Sequence, residues 1–217
     1  MSDKIINAYR ESRNIYDCVL TQRNIFSRIY IKLFWSGTDD NKIAEKVLSY
    51  IPDNFSGTLL DVPTGTAIFT EPKWRMLKNA DITCIDYSKD MLVQAKKRLS
   101  DCSHIRFLQG DVGNLPVKKE TYDIVISMNG FHAFPDKKKA FMEIHRVLRK
   151  GGKFIACFYI KGKSRITDCL VKNILSKKGW FTPPFPTEEQ LKKILDKAYT
   201  KYELHTDGSM VCFICEK

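Results

Sequence analysis

The sequence has no apolar stretch long enough to cross a membrane as a helix, which takes roughly 20 residues. Its longest apolar run, residues 154–160, has the length of a buried strand instead. The first residues also lack a basic stretch followed by an apolar core, which is the pattern of a secretory leader. The seven cysteines are odd in number and scattered, which favours reduced thiols over a disulfide framework. We therefore expect a cytoplasmic protein without a membrane span.

Metal-binding patterns are scarce as well. Cys212 and Cys215 have CxxC spacing, but they stand in an apolar run typical of a strand, where residues three apart point to opposite faces. No second CxxC pair is present to complete a set of four ligands. The sequence therefore predicts no metal site.

The composition predicts a packed globular protein, since 43% of the 217 residues are hydrophobic and 12% are aromatic. The formal net charge is +11, and residues 137–217 carry most of the excess, with 18 basic and 8 acidic side chains. A basic region favours anionic substrates, nucleic acid or membrane surfaces as partners. A solvated lysine-rich surface explains the same charge without any ligand, and it is the simpler interpretation.

The spacing of apolar residues predicts a single domain over residues 1–217, made of four parts. Residues 1–52 form a helical cap, with one or two helices at 4–34 and a last helix at about 42–50, and residues 58–160 form a sheet core. Residues 161–186 form a lid on the acceptor side, with an amphipathic helix at about 164–178 and an irregular segment at 179–186. Residues 187–217 form a helix, which a capping box of Thr187 and Gln190 opens and which ends at about 198, and a hairpin that turns at Asp207-Gly208. Within the core, short β-branched or apolar runs alternate with amphipathic helices; the runs lie at about 58–62, 81–86, 105–109, 122–127 and 153–160. Such alternation predicts a mainly parallel sheet with right-handed crossovers.

Three of the predicted strands end at, or lead directly to, an aspartate. Asp61 ends the first strand, Asp86 ends the second, and Asp111 follows the third. Because the carboxyl ends of parallel strands meet at one edge of the sheet, where open α/β sheets bind ligands, we expect the three carboxylates to share a site. Gly65 stands in a tight loop after the first strand, and it can adopt conformations that bring backbone N–H groups close to a ligand.

The chemistry of these residues favours one cofactor over another. The G-x-G-x-x-G loop that cradles a dinucleotide pyrophosphate is missing, which disfavours a nicotinamide dehydrogenase. S-adenosylmethionine (SAM) has no pyrophosphate but carries a cationic sulfonium and an ammonium, and Asp61 is placed to attract that charge. Asp86 is placed to bond the two hydroxyls of an adenosine ribose, and Asp111 is placed to accept a hydrogen bond from an adenine amino group.

Four segments carry a resemblance to a known family: 60–66 (LDVPTGT), 84–91 (CIDYSKDM), 110–116 (GDVGNLP) and 147–152 (VLRKGG). They resemble successive motifs of the class I SAM-dependent methyltransferases, in the branch similar to the ubiquinone/menaquinone-biosynthesis enzymes (methyltransferase type 11). The chain departs from the usual glycine pattern at Pro63, Thr64 and Ala67. The resemblance implies a Rossmann-like α/β fold. Its seven-stranded, mainly parallel sheet has the order 3-2-1-4-5-7-6, with the last strand antiparallel and helices on both faces.

The resemblance also implies SAM as the cofactor, S-adenosylhomocysteine as its product, and a role for each site residue. The cofactor-binding residues are Asp61, Gly65, Thr66, Asp86, Tyr87, Met91, Asp111, Val112, Ser127, Met128 and Asn129. In that arrangement residues 65 and 66 contact the methionine moiety, and residues 87 and 91 pack near the adenosine. Residue 112 frames the adenine, and residues 127–129 border the sulfonium and the acceptor.

Methyl transfer from a sulfonium is an in-line displacement with a neutral leaving group, so alignment and desolvation supply much of the catalysis. A base is needed only when the acceptor loses a proton, and His132 is the candidate, because imidazole titrates near neutrality. A role in packing or in contacting the cofactor stays open for the same residue. The candidate acceptor-side residues are aromatic: Tyr16, Phe131, Phe134, Trp180 and Phe181. Aromatic rings suit a planar or apolar acceptor, whereas the basic residues of 161–186 suit an anionic one.

The sequence thus predicts a SAM-dependent methyltransferase that acts on a small-molecule acceptor, and two alternatives stay open. An RNA methyltransferase fits the basic last third, although no RNA-binding module and no Asn/Asp-Pro-Pro-Tyr/Phe motif is present. A SAM-binding protein without catalysis fits Pro63, Ala67 and the lack of an assured base. The sequence carries no signal of the oligomeric state.

Overall fold

The computed structural model describes residues 40–217, which are organised around one seven-stranded sheet. The strands are β1 (Thr58–Asp61), β2 (Asp81–Asp86), β3 (Ile105–Gln109), β4 (Tyr122–Met128), β5 (Leu148–Tyr159), β6 (Lys201–Asp207) and β7 (Met210–Glu216). Their order in the sheet is β3-β2-β1-β4-β5-β7-β6. Strands β1 to β5 pair in parallel, and β7 runs antiparallel to both β5 and β6. The predicted strand order and the antiparallel last strand are confirmed.

Helices cover both faces of this sheet. They are α1 (Asp40–Ser49), α2 (Glu71–Met76), α3 (Lys89–Arg98), α4 (Lys137–Val147), α5 (Arg165–Leu170) and α6 (Glu188–Ala198), and a π-helical turn (Val171–Leu175) follows α5. One core joins the sheet to α1, α2 and α3 and contains Trp74, while the other joins it to α4 and α6 and contains Ile144 and Leu195. The central strands read as continuous apolar runs because both of their faces are buried; in β2, Ile82 lies in the first core and Ile85 in the second.

Local sequence signals set the ends of several helices. Ser88 begins α3 by accepting a hydrogen bond from the N–H of Met91. Thr187 and Gln190 form a reciprocal capping box at the start of α6, which was expected from the sequence. This helix ends at Ala198, as predicted. The hairpin that follows turns between Asp207 and Met210, so the glycine of the predicted turn lies at its tip.

Two elements differ from the sequence prediction. The helix predicted at 164–178 is interrupted, since α5 ends at Leu170 and a π-helical turn replaces its continuation. Strand β5 begins at Leu148 rather than near 153, and it runs through the glycine pair at 151–152. The pairing register between β4 and β5 shifts there, and Gly151 has φ +73, a left-handed conformation that glycine adopts without steric cost.

Other expectations concern the two ends of the chain. The predicted helices at 4–34, together with Tyr16, lie outside the described residues. Within residues 40–217 no helix combines the length and the hydropathy that crossing a bilayer requires. Cys212 and Cys215 both lie in β7 and pack into different cores, which confirms that their side chains point to opposite faces of the sheet.

Candidate functional site

One pocket opens at the carboxyl ends of β1, β2, β3 and β4, where the strands gather side chains from distant parts of the sequence. Ten of the eleven predicted cofactor-binding residues line it: Asp61, Gly65, Thr66, Asp86, Tyr87, Met91, Asp111, Val112, Met128 and Asn129. The eleventh, Ser127, is buried in β4 and does not line the pocket. The position of the pocket agrees with the general rule that open parallel sheets bind ligands at this edge.

The pocket is acidic, although the chain as a whole has a net charge of +11. Its lining contains Asp61, Asp86 and Asp111, and no lysine, arginine or histidine of the described residues lines it. The remaining lining residues are mostly apolar or carry hydroxyl groups. A cation is therefore a better ligand for this site than a phosphate group, which needs positive charge or a cluster of N–H donors.

Asp61 is buried at the end of β1 and holds several neighbours in place. Its Oδ2 atom accepts hydrogen bonds from Thr64 Oγ1 at 2.8 Å, Trp74 Nε1 at 3.0 Å and Thr70 Oγ1 at 3.4 Å. Burial raises the pKa of Asp61 to about 7, even though these hydrogen bonds favour the charged form. The carboxyl is therefore close to half ionised at neutral pH, and a cation in the pocket would favour its ionised form.

Asp86 is also buried, at the end of β2, and both of its oxygens accept backbone hydrogen bonds. Oδ2 accepts from the N–H of Gly65 and Oδ1 from the N–H of Ser88, each at 2.8 Å. Burial raises the pKa of this carboxyl to about 6, against the opposing effect of the backbone donors. Asp86 thus fixes the glycine loop to the start of α3 while it lines the pocket.

The loop at 62–70 connects β1 to α2 and forms one wall of the pocket. The N–H of Val62 donates to the carbonyl of Ile126 in β4 at 3.0 Å, and the N–H of Thr64 donates to the carbonyl of Ile85 in β2 at 2.9 Å. These bonds tie the loop to both strands that flank β1. Gly65 (φ +55) and Ala67 (φ +59) both have left-handed backbone conformations. This geometry is strain-free for glycine, whereas for alanine it costs roughly 1–2 kcal/mol.

Gly130 does not line the pocket but supports two residues that do, a role that the sequence did not reveal. A Cβ atom on Gly130 would lie 2.3 Å from Cδ of Pro63 and 2.8 Å from Cζ of Phe134. Both of those residues line the pocket, so only glycine leaves room for the loop after β1 to pack against the segment after β4. The sequence showed a glycine at this position but gave no sign that Pro63, far away in the chain, lies against it.

The third strand contributes the other end of the pocket. Asp111 Oδ1 accepts a hydrogen bond from the N–H of Gly113 at 2.8 Å, which closes a tight turn after β3. Gln109 Nε2 donates to the carbonyl of Tyr87 at 3.0 Å and joins this turn to the end of β2. Met91 and Val112, both buried, supply an apolar surface between these polar groups. The arrangement suits a flat ligand with a polar edge.

The sequence of the chain is similar to those of known methyltransferases. Residues 60–156 match the model of the methyltransferase domain family (Methyltransf_11). The demethylmenaquinone methyltransferase of Thermotoga maritima is 28% identical over 146 residues, which are 67% of this chain and 60% of that protein. The enzyme of the same name from Alkalihalophilus pseudofirmus is 32% identical over 154 residues, 70% of this chain and 61% of that protein. The chain thus spans about three fifths of the length of these curated relatives.

A solved structure extends the similarity to nearly the whole chain. It is a Thermotoga maritima SAM-dependent methyltransferase described as a possible histamine N-methyltransferase. It superposes with a TM-score of 0.71 at 20% sequence identity and covers 98% of this chain and 99% of its own, which shows the shared fold. Residues 60–156 form a methyltransferase domain. The predicted family resemblance is confirmed.

After β4 the chain leaves the sheet in a turn at Met128 and Asn129. Met128 and Asn129 line the pocket, and Asn129 has φ +52, a conformation that asparagine tolerates better than most residues. The N–H of Asn129 donates to the carbonyl of Cys157 in β5 at 2.9 Å, which fixes the turn. The hydroxyl of Ser127 is buried and has no hydrogen-bond partner among the described residues.

His132 follows this turn, but it does not line the pocket of the methyltransferase domain. It is 7% exposed, and its ring stacks on that of Phe181 with the centroids 3.9 Å apart. Burial, with a smaller effect from Lys137, lowers the pKa of His132 to about 3, so the imidazole is neutral at physiological pH. An imidazole with so low a pKa is a weak proton acceptor, and its role as a base stays a prediction.

The predicted acceptor-side residues occupy different environments. Phe134 lines the pocket, whereas Phe131 is fully buried and packs against it with ring centroids 5.1 Å apart. Trp180 is half-buried beneath the ammonium of Lys178, and Phe181 is buried against His132. The segment that contains them is tied to the turn after β4, because the N–H of Thr182 donates to the carbonyl of His132 at 2.8 Å.

Proposed function

We propose that this methyltransferase domain binds SAM in the acidic pocket and transfers its methyl group to a small-molecule acceptor. The observation that carries the proposal is the charge of the pocket, which has three carboxylates and no cation in its described lining. SAM offers a permanently charged sulfonium and an ammonium, and it lacks the phosphate groups that a basic site would bind. The family match and the position of the pocket at the strand ends support the same cofactor.

The residues of the pocket fit the parts of this cofactor. Asp86, whose two oxygens each retain acceptor capacity, would hold the ribose hydroxyls. Met91 and Val112 would pack on the adenine, with Asp111 at its polar edge. Gly65 and Thr66 would lie along the methionine moiety, and the carboxylate of Asp61 would compensate the positive charge at that end of the pocket.

Bound SAM supplies the methyl group as part of a sulfonium, whose departure as a neutral thioether makes general-acid help unnecessary. The work left to the protein is to align the acceptor with the methyl group and to keep water out. Met128 and Asn129 at the end of β4, and Phe134 after it, stand where an acceptor would approach. The bonds between the turn after β4 and residue 182 hold this wall in place.

We infer that the acceptor is a planar, apolar small molecule. Phe134 gives the pocket an aromatic wall, and the curated relatives are named as demethylmenaquinone methyltransferases, which places a quinone among their substrates. The described lining offers no cation to bind the phosphates of an RNA chain at the pocket itself, which argues against an RNA acceptor.

Calorimetric titration of SAM, S-adenosylhomocysteine and NADH into the purified protein tests the cofactor. We expect both adenosyl ligands to bind and NADH to give no heat. Asp86→Asn should weaken SAM binding about 10- to 100-fold, since hydrogen bonds to a charged group contribute roughly 1.5–3 kcal/mol. Asp81→Asn is the matched control, because Asp81 is exposed at the opposite end of the same strand. Equal losses in the two variants, or no SAM binding at all, would contradict the proposal.

The acceptor is tested by transfer of a radiolabelled methyl group from SAM to a panel of naphthoquinols and phenols, with bulk tRNA as the comparison. We expect label in the planar phenolic compounds and none in tRNA. Label in tRNA alone would replace the small-molecule acceptor by RNA. Binding of SAM without methyl transfer to any compound would refute the catalytic part of the proposal. The chain would then be a SAM-binding protein without catalysis.

A further inference from the structure

A second cavity lies between α4 and α6. We call it the α4/α6 groove; it has a volume of about 990 Å³ and shares no lining residue with the acidic pocket. It is lined by residues of α4, α6 and the segments next to them, among them Phe131, Met142, Phe158, Phe185, Ile194 and Tyr199. Ligand-binding pockets are typically about 300–1,000 Å³, so the groove is large enough for a small molecule.

The floor of the α4/α6 groove is apolar and its upper edges remain open. Phe131 and Phe158 are almost fully buried at the floor. Met142 on α4 is 61% exposed and Ile194 on α6 is 38% exposed, which places two large apolar side chains at the sides of the groove. Large apolar side chains that line a cavity and stay exposed are typical of binding surfaces.

The rim of the groove has the opposite character to the acidic pocket. Six of its described lining residues are lysine or arginine, and none of the described ones is aspartate or glutamate: Lys137, Lys138, Arg146, Lys161, Lys193 and Lys197. Arg146 is paired with Glu143, and Lys137 donates to the carbonyls of Phe134 and Thr182. The other four lysines are exposed and form no ion pair with any residue between 40 and 217. An anionic group at this rim would therefore meet four positive charges that no residue of 40–217 pairs with.

The combination of an apolar floor and a cationic rim points to one kind of ligand. We propose that the α4/α6 groove binds a single-chain amphiphilic anion of the fatty-acid type, with its alkyl chain on the apolar floor and its carboxylate among Lys138, Lys161, Lys193 and Lys197. A single-stranded nucleic acid is disfavoured, because it needs exposed rings for its bases to stack on. The phenylalanine and tyrosine rings of the groove are either buried, as in Phe131, Phe158 and Tyr199, or only partly exposed, as in Phe141 and Phe185. The proposal does not depend on the cofactor or on the methyl acceptor.

Fluorescence titration with 11-(dansylamino)undecanoate, followed by displacement with laurate, tests the proposal on the whole protein. We expect saturable binding that laurate displaces and that methyl laurate, which has no charge, does not. Lys193→Glu/Lys197→Glu should weaken laurate binding about tenfold or more, equivalent to roughly 1.4 kcal/mol. Lys96→Glu/Lys97→Glu on α3 changes the net charge equally and should leave the affinity unchanged within about twofold.

A second pair of variants tests the apolar part. Ile194→Asp should weaken laurate binding, whereas Val93→Asp, at an exposed apolar position on α3, should not. Asp86→Asn should also leave laurate affinity unchanged, which separates the groove from the acidic pocket. Circular dichroism checks that each variant is folded.

Several results would overturn the inference. They are the absence of displaceable binding, equal losses in the groove and α3 variants, and displacement by methyl laurate as effective as that by laurate. Binding to anionic vesicles but not to monomeric laurate would assign the surface to a membrane instead. A dimer in sedimentation that Lys193→Glu/Lys197→Glu dissociates, together with no laurate binding, would assign it to a second copy of the chain.

Discussion

We expect the affinity for SAM to rise with pH across neutrality. The pocket holds two buried carboxyls, and a cation is attracted to them only in their ionised form. Burial raises the pKa of Asp61 to about 7 and that of Asp86 to about 6. A raised pKa means that the ionised fraction is small in mild acid and grows as pH rises through that value. The permanently charged sulfonium binds the ionised form, so protons and SAM compete for the pocket.

The size of the effect follows from the ionised fractions. With a pKa of about 7, Asp61 is ionised in about one tenth of the molecules at about pH 6 and in about nine tenths at about pH 8. If only the ionised form binds, the apparent dissociation constant falls about tenfold over this interval. Asp86, with a pKa of about 6, adds a further factor of about two. We therefore expect a total change of about twentyfold.

Calorimetry at several pH values measures this change, and two controls isolate its cause. Asp61→Asn retains the size of the side chain but not its charge, so the rise should shrink to about the twofold contribution of Asp86. The amino group of the ligand titrates equally in both proteins and cancels from the comparison. S-adenosylhomocysteine lacks the sulfonium and should show a smaller pH dependence than SAM. An affinity that is flat between about pH 6 and 8, or a full rise retained in the variant, would refute the reasoning.

Three further predictions concern stability, measured by urea unfolding. Gly130→Ala should lower the free energy of unfolding by roughly 1–3 kcal/mol and weaken SAM binding, because the added Cβ would overlap Pro63. Gly113→Ala is the control and should have neither effect, because its Cβ would make only an ordinary 3.4 Å contact with Asp111. Ala67→Gly should raise the free energy of unfolding by up to about 1 kcal/mol, because glycine adopts the left-handed conformation without strain. An unchanged or lower free energy of unfolding would contradict the loop geometry. Asp61→Asn should raise the free energy of unfolding more at about pH 8 than at about pH 5. The reason is that a carboxyl whose pKa is raised in the folded state destabilises the fold more and more as pH rises from its unfolded-state pKa to its folded-state pKa. Equal effects of the substitution at both pH values would contradict the raised pKa of Asp61.

The sheet was predictable because its information is local. Apolar runs indicate the strands, and parallel strands meet at one edge of a sheet, so the sequence alone predicts that Asp61, Asp86 and Asp111 lie together. The strand order came from the family resemblance rather than from the runs themselves. The early start of β5 was missed, because a strand that passes through Gly151 and Gly152 depends on pairing with β4, not on the local sequence.

The details of the site were less predictable because they depend on contacts between distant segments. The fit of Gly130 against Pro63 and the bond from Trp74 to Asp61 join residues that no spacing rule connects. The same holds for His132, which sequence reasoning placed as a candidate base. Its burial against Phe181 depends on a segment some fifty positions later in the chain, and that burial determines its pKa.

The net charge of +11 describes neither of the two cavities, because they draw on different parts of the chain. The carboxylates of the acidic pocket come from the ends of β1, β2 and β3, whereas the lysines of the α4/α6 groove come from the last third, on or beside α4 and α6. Exposed charges are largely screened beyond about 8 Å at physiological salt, so each cavity is governed by the groups that line it. A basic protein can therefore offer a site for a cation at the end of its sheet and a site for an anion between its helices. Six of the eighteen basic residues of the last third lie at the groove, and a solvated surface stays the simpler interpretation for the other twelve.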